Sequence, residues 1–282
     1  MTLGTLLRLG RVSNLPTVWT NALAGAVLAS GGAPDPGATL MAALALTLFY
    51  EGGMWLNDAF DADIDARERA NRPIPMGEIG RNAVFAGGFA MLAGGIALGF
   101  AIGVEAGLAA IALALAILLY DWLHKRTRLS PAIMGATRFL SYMLAALAVG
   151  VFSDAALWGA LGLFAWIIGL TYAAKQEAYD RLGAAWPLAV LALPLAYTLW
   201  LGLAAPLALP AWLALAAVAG FALRRLFRRA PGDVPKAVVT MIAGVSLYDA
   251  ALIAAAGAPA LALLAAAGFA LTLALQKVAS GT

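Results

Sequence analysis

The chain has 282 residues, of which 63% are hydrophobic and only 12% charged, with a formal net charge of +3. Soluble domains carry about 25% charged residues, so this composition excludes an ordinary soluble enzyme and reads as a polytopic membrane protein. The absence of cysteine removes disulfides and thiolate metal sites, one histidine (His124) cannot build a histidine-rich centre, and basic residues scattered in short loops exclude nucleic acid as a partner.

Hydropathy predicts an all-α bundle of ten spanning helices, read as a single domain over residues 1–282. Arg8 and Arg11 precede the first apolar segment, about residues 15–32, whose small-residue end imitates a signal peptide. Asn14, Thr17 and Asn21 share one helical side there, which favours an uncleaved helix with a polar inward face. Further spans follow at about 38–57, 82–103, 105–121, 132–152, 156–174, 185–201, 209–223, 236–256 and 258–276, and glycine and proline punctuate the short turns. Seventeen of the eighteen Lys and Arg residues fall in alternate loops. The positive-inside rule assigns that side, with both termini, to the cytoplasm. The exception is Arg138, inside the fifth span. Glu51 and Asp249 also lie at depth, where an ionisable group is costly unless paired or hydrated. Arg138 and Asp249 could pair to fix packing or line a polar cavity, and the cavity is favoured for Glu51.

The most informative stretch closes the second span. Asn57-Asp58-Ala59-Phe60-Asp61-Ala62-Asp63-Ile64-Asp65 sets four carboxylates within eight residues, and Arg67, Arg69 and Arg72 follow. On a helix Asp58, Asp61 and Asp65 fall within about 60° of one another, while Asp63 points to the opposite side. Glu51, seven residues earlier, continues the stripe inward. Crowded carboxylates repel unless something positive sits among them, and a hard divalent cation is the usual answer. The competing account is a solvated acidic helix end. Tyr120 with Lys125 and Arg126, and the run Lys175-Gln176-Glu177-Ala178-Tyr179-Asp180-Arg181, reach the same edge. Carboxylates and cations on one lip suit an anion held through metal, with a diphosphate as the natural candidate.

At these residues the chain resembles the UbiA superfamily of intramembrane prenyltransferases. Asn57-Asp58-x-x-Asp61-x-x-x-Asp65 matches the family's first aspartate-rich motif. Arg72-Pro73-Ile74-Pro75-x-Gly77, Tyr120 with Lys125-Arg126, and Arg11-x-x-Asn14 are similar to other segments of it. The resemblance implies a bundle of nine to ten helices around a central cavity, a Mg²⁺ cofactor, a polyprenyl diphosphate substrate and a small, usually aromatic acceptor in the bilayer. Carried over residue by residue, Asn57, Asp58, Asp61 and Asp65 would bind metal. Arg72, Lys125, Asn14, Arg11, Tyr120 and Glu51 would contact substrate, and Asp58, Asp61 and Lys125 would serve the chemistry. Two features depart from the pattern. The second motif, Asp-x-x-x-Asp in the family, gives Gln176 and Asp180 here, so Glu177 and Asp180 become the alternative metal pair. The tenth span reads as an appendage to nine. Both departures suggest a divergent branch similar to the EboC-like members. The runner-up reading is a transporter or lipid-binding protein that kept the scaffold and lost catalysis.

Overall fold

The structure is a computed structural model that describes residues 2–150, 152–176 and 183–277. The described residues form eleven α-helices and no strand: α1 (Leu3–Leu9), α2 (Leu15–Ala29), α3 (Pro36–Glu68), α4 (Arg81–Ile102), α5 (Val104–Leu123), α6 (Ser130–Ala148), α7 (Asp154–Ala174), α8 (Ala192–Ala204), α9 (Leu209–Arg228), α10 (Asp233–Ala255) and α11 (Pro259–Leu275). Ten of them coincide in position with the ten segments read from hydropathy; among the described residues eight helical segments are long and apolar enough to cross a membrane, while α2 and α11, at 15 and 17 residues, are shorter. The eleventh, α1, is too short and too mixed to register as a span. It lies at the rim, where Leu9 packs with Ala59 and Val84. Its Arg8 and Thr5 both donate to Glu78, at 2.5 and 2.7 Å.

Local chemistry starts several helices where they begin. The Asp35 carboxylate accepts from the Ala38 N–H at 2.7 Å and Pro36 occupies the first turn of α3, while Ser153 caps α7 by accepting from Ala156. The seventh span opens with a 3₁₀ segment, Trp186–Leu191, before α8. Helix α3 runs unbroken for 33 residues, past the end of its apolar span near residue 57 and through the whole acidic motif. At 1.5 Å per residue this is about 50 Å, well beyond a hydrocarbon core of about 30 Å. The acidic motif therefore rides on the helix at the membrane edge, as the helical phase of its carboxylates requires.

Consecutive helices pack side by side and the ring closes through α10 and α11 against α2. One buried apolar cluster joins α2 to α3, α4, α5 and α6, and a larger one joins α2 and α6 to α7 through α11. Helix α10 is the most enclosed of the long apolar helices. Helix α11 is no appendage, which corrects the sequence reading. Gly268 rests against Thr20 and Ser246, and the Gln276 amide donates to Asn14 Oδ1 at 2.6 Å. Without a hydrophobic force between helices in lipid, close approach at small residues supplies the packing energy. At the α2–α6 crossing a Cβ on Gly25 would come within 2.7 Å of the Tyr142 carbonyl oxygen.

Two outcomes test this architecture. Gly25→Ala should destabilise the fold by about 1–3 kcal/mol, since the obstructing atom is backbone and cannot rotate away; denaturation in mixed micelles measures it. The chain has no cysteine of its own. Single Arg128→Cys and Lys236→Cys variants should therefore react with a membrane-impermeant thiol reagent only from one side, and Ala33→Cys only from the other. Labelling of all three from the same side would refute the alternation of helices.

Candidate functional site: a cavity with a charged lip

The helical phase of α3 decides where its carboxylates go. Asp58, Asp61 and Asp65 are 3%, 7% and 4% exposed, whereas the Asp63 side chain is 76% exposed and pairs at the surface with Arg81, 3.0 Å away. A single Asp58 oxygen, Oδ1, accepts from Arg11 at 3.0 Å and from Arg72 at 2.8 Å. Arg11 reaches this point because it takes a left-handed backbone conformation (φ 46°) in the bend between α1 and α2. Arg72 reaches it from the turn after α3. Asp61 Oδ2 faces His124 Nε2 at 3.1 Å and Lys125 Nζ at 3.6 Å.

Arg11, Arg72, Asp61, His124 and Lys125 border a cavity of about 450 Å³ lined by α2, α3, α5, α6, α7 and α10. Asn57, Asp61, Asp65, Arg11, Arg72, Tyr120, His124, Lys125 and Lys175 surround its polar mouth. Leu46, Phe49, Leu113, Ile117, Ile167, Leu170, Ile242 and Val245 line most of the rest, interrupted by a polar patch of Thr17, Thr137, Arg138 and Ser141. Lys175, at the end of α7, donates to Ser130 Oγ at 2.7 Å and to the Thr127 carbonyl at 3.1 Å, which ties α7 to the α5–α6 turn. Burial and the nearby Lys125 charge both lower the Lys175 ammonium from its ordinary pKa.

The cavity takes in Asn14, Arg11, Asn57, Asp61, Asp65, Arg72, Tyr120 and Lys125 from the sequence analysis. Asp58 is not on the cavity wall; it stands behind the mouth and holds two of its arginines. Glu51 also departs from expectation: its carboxylate sits under Gly10 of the α1–α2 bend, where a Cβ would meet Oε2. Glu177 and Asp180 lie outside the described residues. Two residues escaped the sequence reading. Asp121 is 5% exposed, lines the cavity and accepts from Asn57 Nδ2 at 3.2 Å, and His124 approaches Asp61 as described. The signal for both lay between Tyr120 and Lys125, since Asp121 and His124 share the helical end that carries those residues.

The donor set suits a hard cation. It is all oxygen on the carboxylate side, and Asp121 Oδ2, on the cavity wall, is buried with no hydrogen-bond partner. Among the described residues no three acidic or histidine side chains converge as a closed metal cage. Magnesium seldom needs one, because it is usually held by one or two carboxylates together with substrate phosphates and water.

A paired comparison tests the electrostatics. Asp58→Ala should cost about 3–5 kcal/mol, because it leaves Arg11 and Arg72 facing one another without a counter-charge. Asp63→Asn should stay within about 1 kcal/mol of the parent, as an exposed ion pair contributes little. Denaturation of both variants in mixed micelles checks the contrast.

With this geometry in view, the comparisons with known proteins fall into place. A digeranylgeranylglyceryl phosphate synthase from Thermococcus kodakarensis is 28% identical over 157 residues, which is 55% of this chain and 56% of that protein. The chain thus spans little more than half the length of that curated relative. Among solved structures, a UbiA homologue from Aeropyrum pernix matches with a TM-score of 0.67 at 19% identity, covering 86% of this chain and 96% of the other. A UbiA homologue from Archaeoglobus fulgidus bound to GPP and Mg²⁺ matches with a TM-score of 0.55 at 15% identity, covering 97% and 99%. At such identities these structures speak for the fold. The UbiA prenyltransferase family model matches residues 18–245, most of the sequence, and the chain belongs to that family.

Proposed function

We propose that this protein transfers a prenyl group from a polyprenyl diphosphate to a small acceptor inside the membrane. The observation that carries the reading is the division of one cavity into a mouth of carboxylates and cations and a predominantly apolar interior. A molecule with a diphosphate head and a hydrocarbon tail has the same division. The neighbour solved with GPP and Mg²⁺ supports it.

In this reading Asn57, Asp61, Asp65 and Asp121 would hold Mg²⁺, which would supply Lewis-acid neutralisation of diphosphate charge. Arg72, Arg11, Lys125 and Lys175 bind the remaining oxygens and stabilise the charge that grows on the leaving group. The allylic C–O bond breaks and its electron pair departs with pyrophosphate. The acceptor nucleophile bonds to the freed carbon and yields one proton, which pyrophosphate takes up. Tyr50 and Tyr120 offer ring faces to the positive charge that develops on the prenyl carbon. The apolar walls keep water from intercepting it. An aromatic acceptor is one option; the archaeal relative is named for a glyceryl phosphate product, so a hydroxyl nucleophile is equally compatible. In this reading the mouth faces the cytoplasm with both termini on that side, which the positive-inside rule supports.

The purified protein, incubated with a prenyl diphosphate, Mg²⁺ and a panel of acceptors, should release pyrophosphate. Chelation by EDTA should stop release, and Asp61→Asn should lower the rate by about 100-fold or more, the scale of losing a group that stabilises transition-state charge. Tight binding of the diphosphate with no pyrophosphate release from any acceptor would favour the non-catalytic carrier.

A further inference from the structure

The reaction described so far makes no use of Arg138. This residue lies halfway along α6 and lines the cavity. Its Nη1 donates to Asn21 Oδ1 at 2.8 Å and its Nη2 to Thr17 Oγ1 at 3.3 Å. Both partners are neutral. A guanidinium has five N–H donors, and no other hydrogen-bond partner for it occurs among the described residues. The carboxylate that balances the charge is Asp249 of α10, fully buried and one residue removed. Asn21 Nδ2 donates to Asp249 Oδ2 at 2.8 Å, and the Tyr142 hydroxyl donates to the other carboxylate oxygen. Asn21 is thus a spacer between cation and anion.

That spacer argues against a purely structural ion pair. A lock between α6 and α10 would be strongest with Arg138 directly on Asp249, where the two charges satisfy each other. Instead both Asp249 oxygens are occupied by α2 and α6, and the guanidinium is left at the cavity wall. Thr17, which it touches, and Ser141, Ile242 and Val245, which share the cavity wall, are all uncharged. An arginine held charged at membrane depth costs several kcal/mol unless something compensates it. A ligand oxyanion meets that need, and the flat fork of N–H donors matches a carboxylate or phosphate.

Position adds a second constraint. The guanidinium carbon lies 5.9 Å from the centre of the Tyr50 ring, and the Tyr50 hydroxyl donates to the Arg11 carbonyl at 3.2 Å. Arg138 is therefore one tyrosine side chain away from the lip that would take the diphosphate. Two anionic groups could be held in the same cavity, each by its own cation, with the Tyr50 ring between them.

We propose that Arg138 is the specificity-determining anchor for an oxyanion, carboxylate or phosphate, carried by the acceptor, and that Asn21 and Asp249 position it. The inference rests on the prenyl-transfer reading above and deepens it by naming the acceptor class. An acceptor with a nucleophilic hydroxyl or ring carbon a short distance from its oxyanion would present that nucleophile beneath the lip.

The test uses the full-length protein in lipid nanodiscs and two matched probe pairs. One pair is a hydroxybenzoate and its primary amide; the other is a long-chain glyceryl ether phosphate and its dephosphorylated alcohol. Prenyl diphosphate binding is measured separately in every variant. The anionic member of at least one pair should react, and its neutral twin should react poorly; which pair responds distinguishes carboxylate from phosphate. Arg138→Gln should raise the acceptor KM by roughly 10- to 100-fold, the scale of losing a hydrogen bond to a charged group. Prenyl diphosphate affinity should stay unchanged, and Arg138→Lys should restore part of the loss. Asp249→Asn should raise the acceptor KM less. If Arg138→Gln weakens diphosphate and acceptor alike, or leaves both unchanged in a folded protein, Arg138 is not an acceptor anchor. Equal reaction of the neutral and anionic twins also overturns the inference. Failure of the parent protein to bind prenyl diphosphate overturns the prenyl-transfer reading itself, a different outcome from any of these.

Discussion

One carboxylate oxygen organises the mouth of this protein. Asp58 Oδ1 takes hydrogen bonds from Arg11, before the first spanning helix, and from Arg72, after the second. Because Asp58 is 3% exposed, water screens the attraction weakly and the three groups are worth keeping together. Remove the carboxylate and two guanidiniums repel at the same spot. The bend that carries Arg11, the long helix α3 and the turn after it are thus fastened at one point, and the cavity mouth inherits their spacing.

The same economy recurs deeper in the bundle. Lipid offers no hydrophobic drive for helices to associate, so contacts at Gly25 and Gly268, together with a few buried polar links, hold the ring together. The links connect α2 to both sides of the bundle, through Arg138 on α6 and Asp249 and Ser246 on α10. α2 is only 15 residues long, yet it contributes to both apolar clusters, and its polar face is what both halves bind.

Charge distribution connects this scaffold to chemistry. At the mouth, Asp61 and Asp121 supply oxygens while Arg11, Arg72, Lys125 and Lys175 supply donors. Carboxylates alone would repel a diphosphate, and cations alone would give a sticky anion site without room for metal. The mixture favours an anion that arrives with its own divalent counter-ion. Below the mouth the walls turn mostly apolar, Arg138 and its polar neighbours apart, which suits a hydrocarbon chain.

Much of this was legible in the residues because the relevant physics is local. Hydropathy runs mark spans, basic loops mark a side, and a 100° step per residue separates Asp63 from Asp58, Asp61 and Asp65 without any knowledge of neighbours. What the residues alone left undecided depended on partners far along the chain. Glu51 shares the phase of Asp58, but the α1–α2 bend covers it, and no periodicity in α3 can announce that bend. Asp121 became part of the mouth only when α5 packed beside α3 and brought it to Asn57, 64 positions away in sequence. Arg138 and Asp249 could equally have been a direct pair. It is the placement of Asn21, from a third helix, that separates them and leaves the cation on the cavity wall. Helical phase is written in consecutive residues, whereas the partner of a buried charge is chosen by which helices meet.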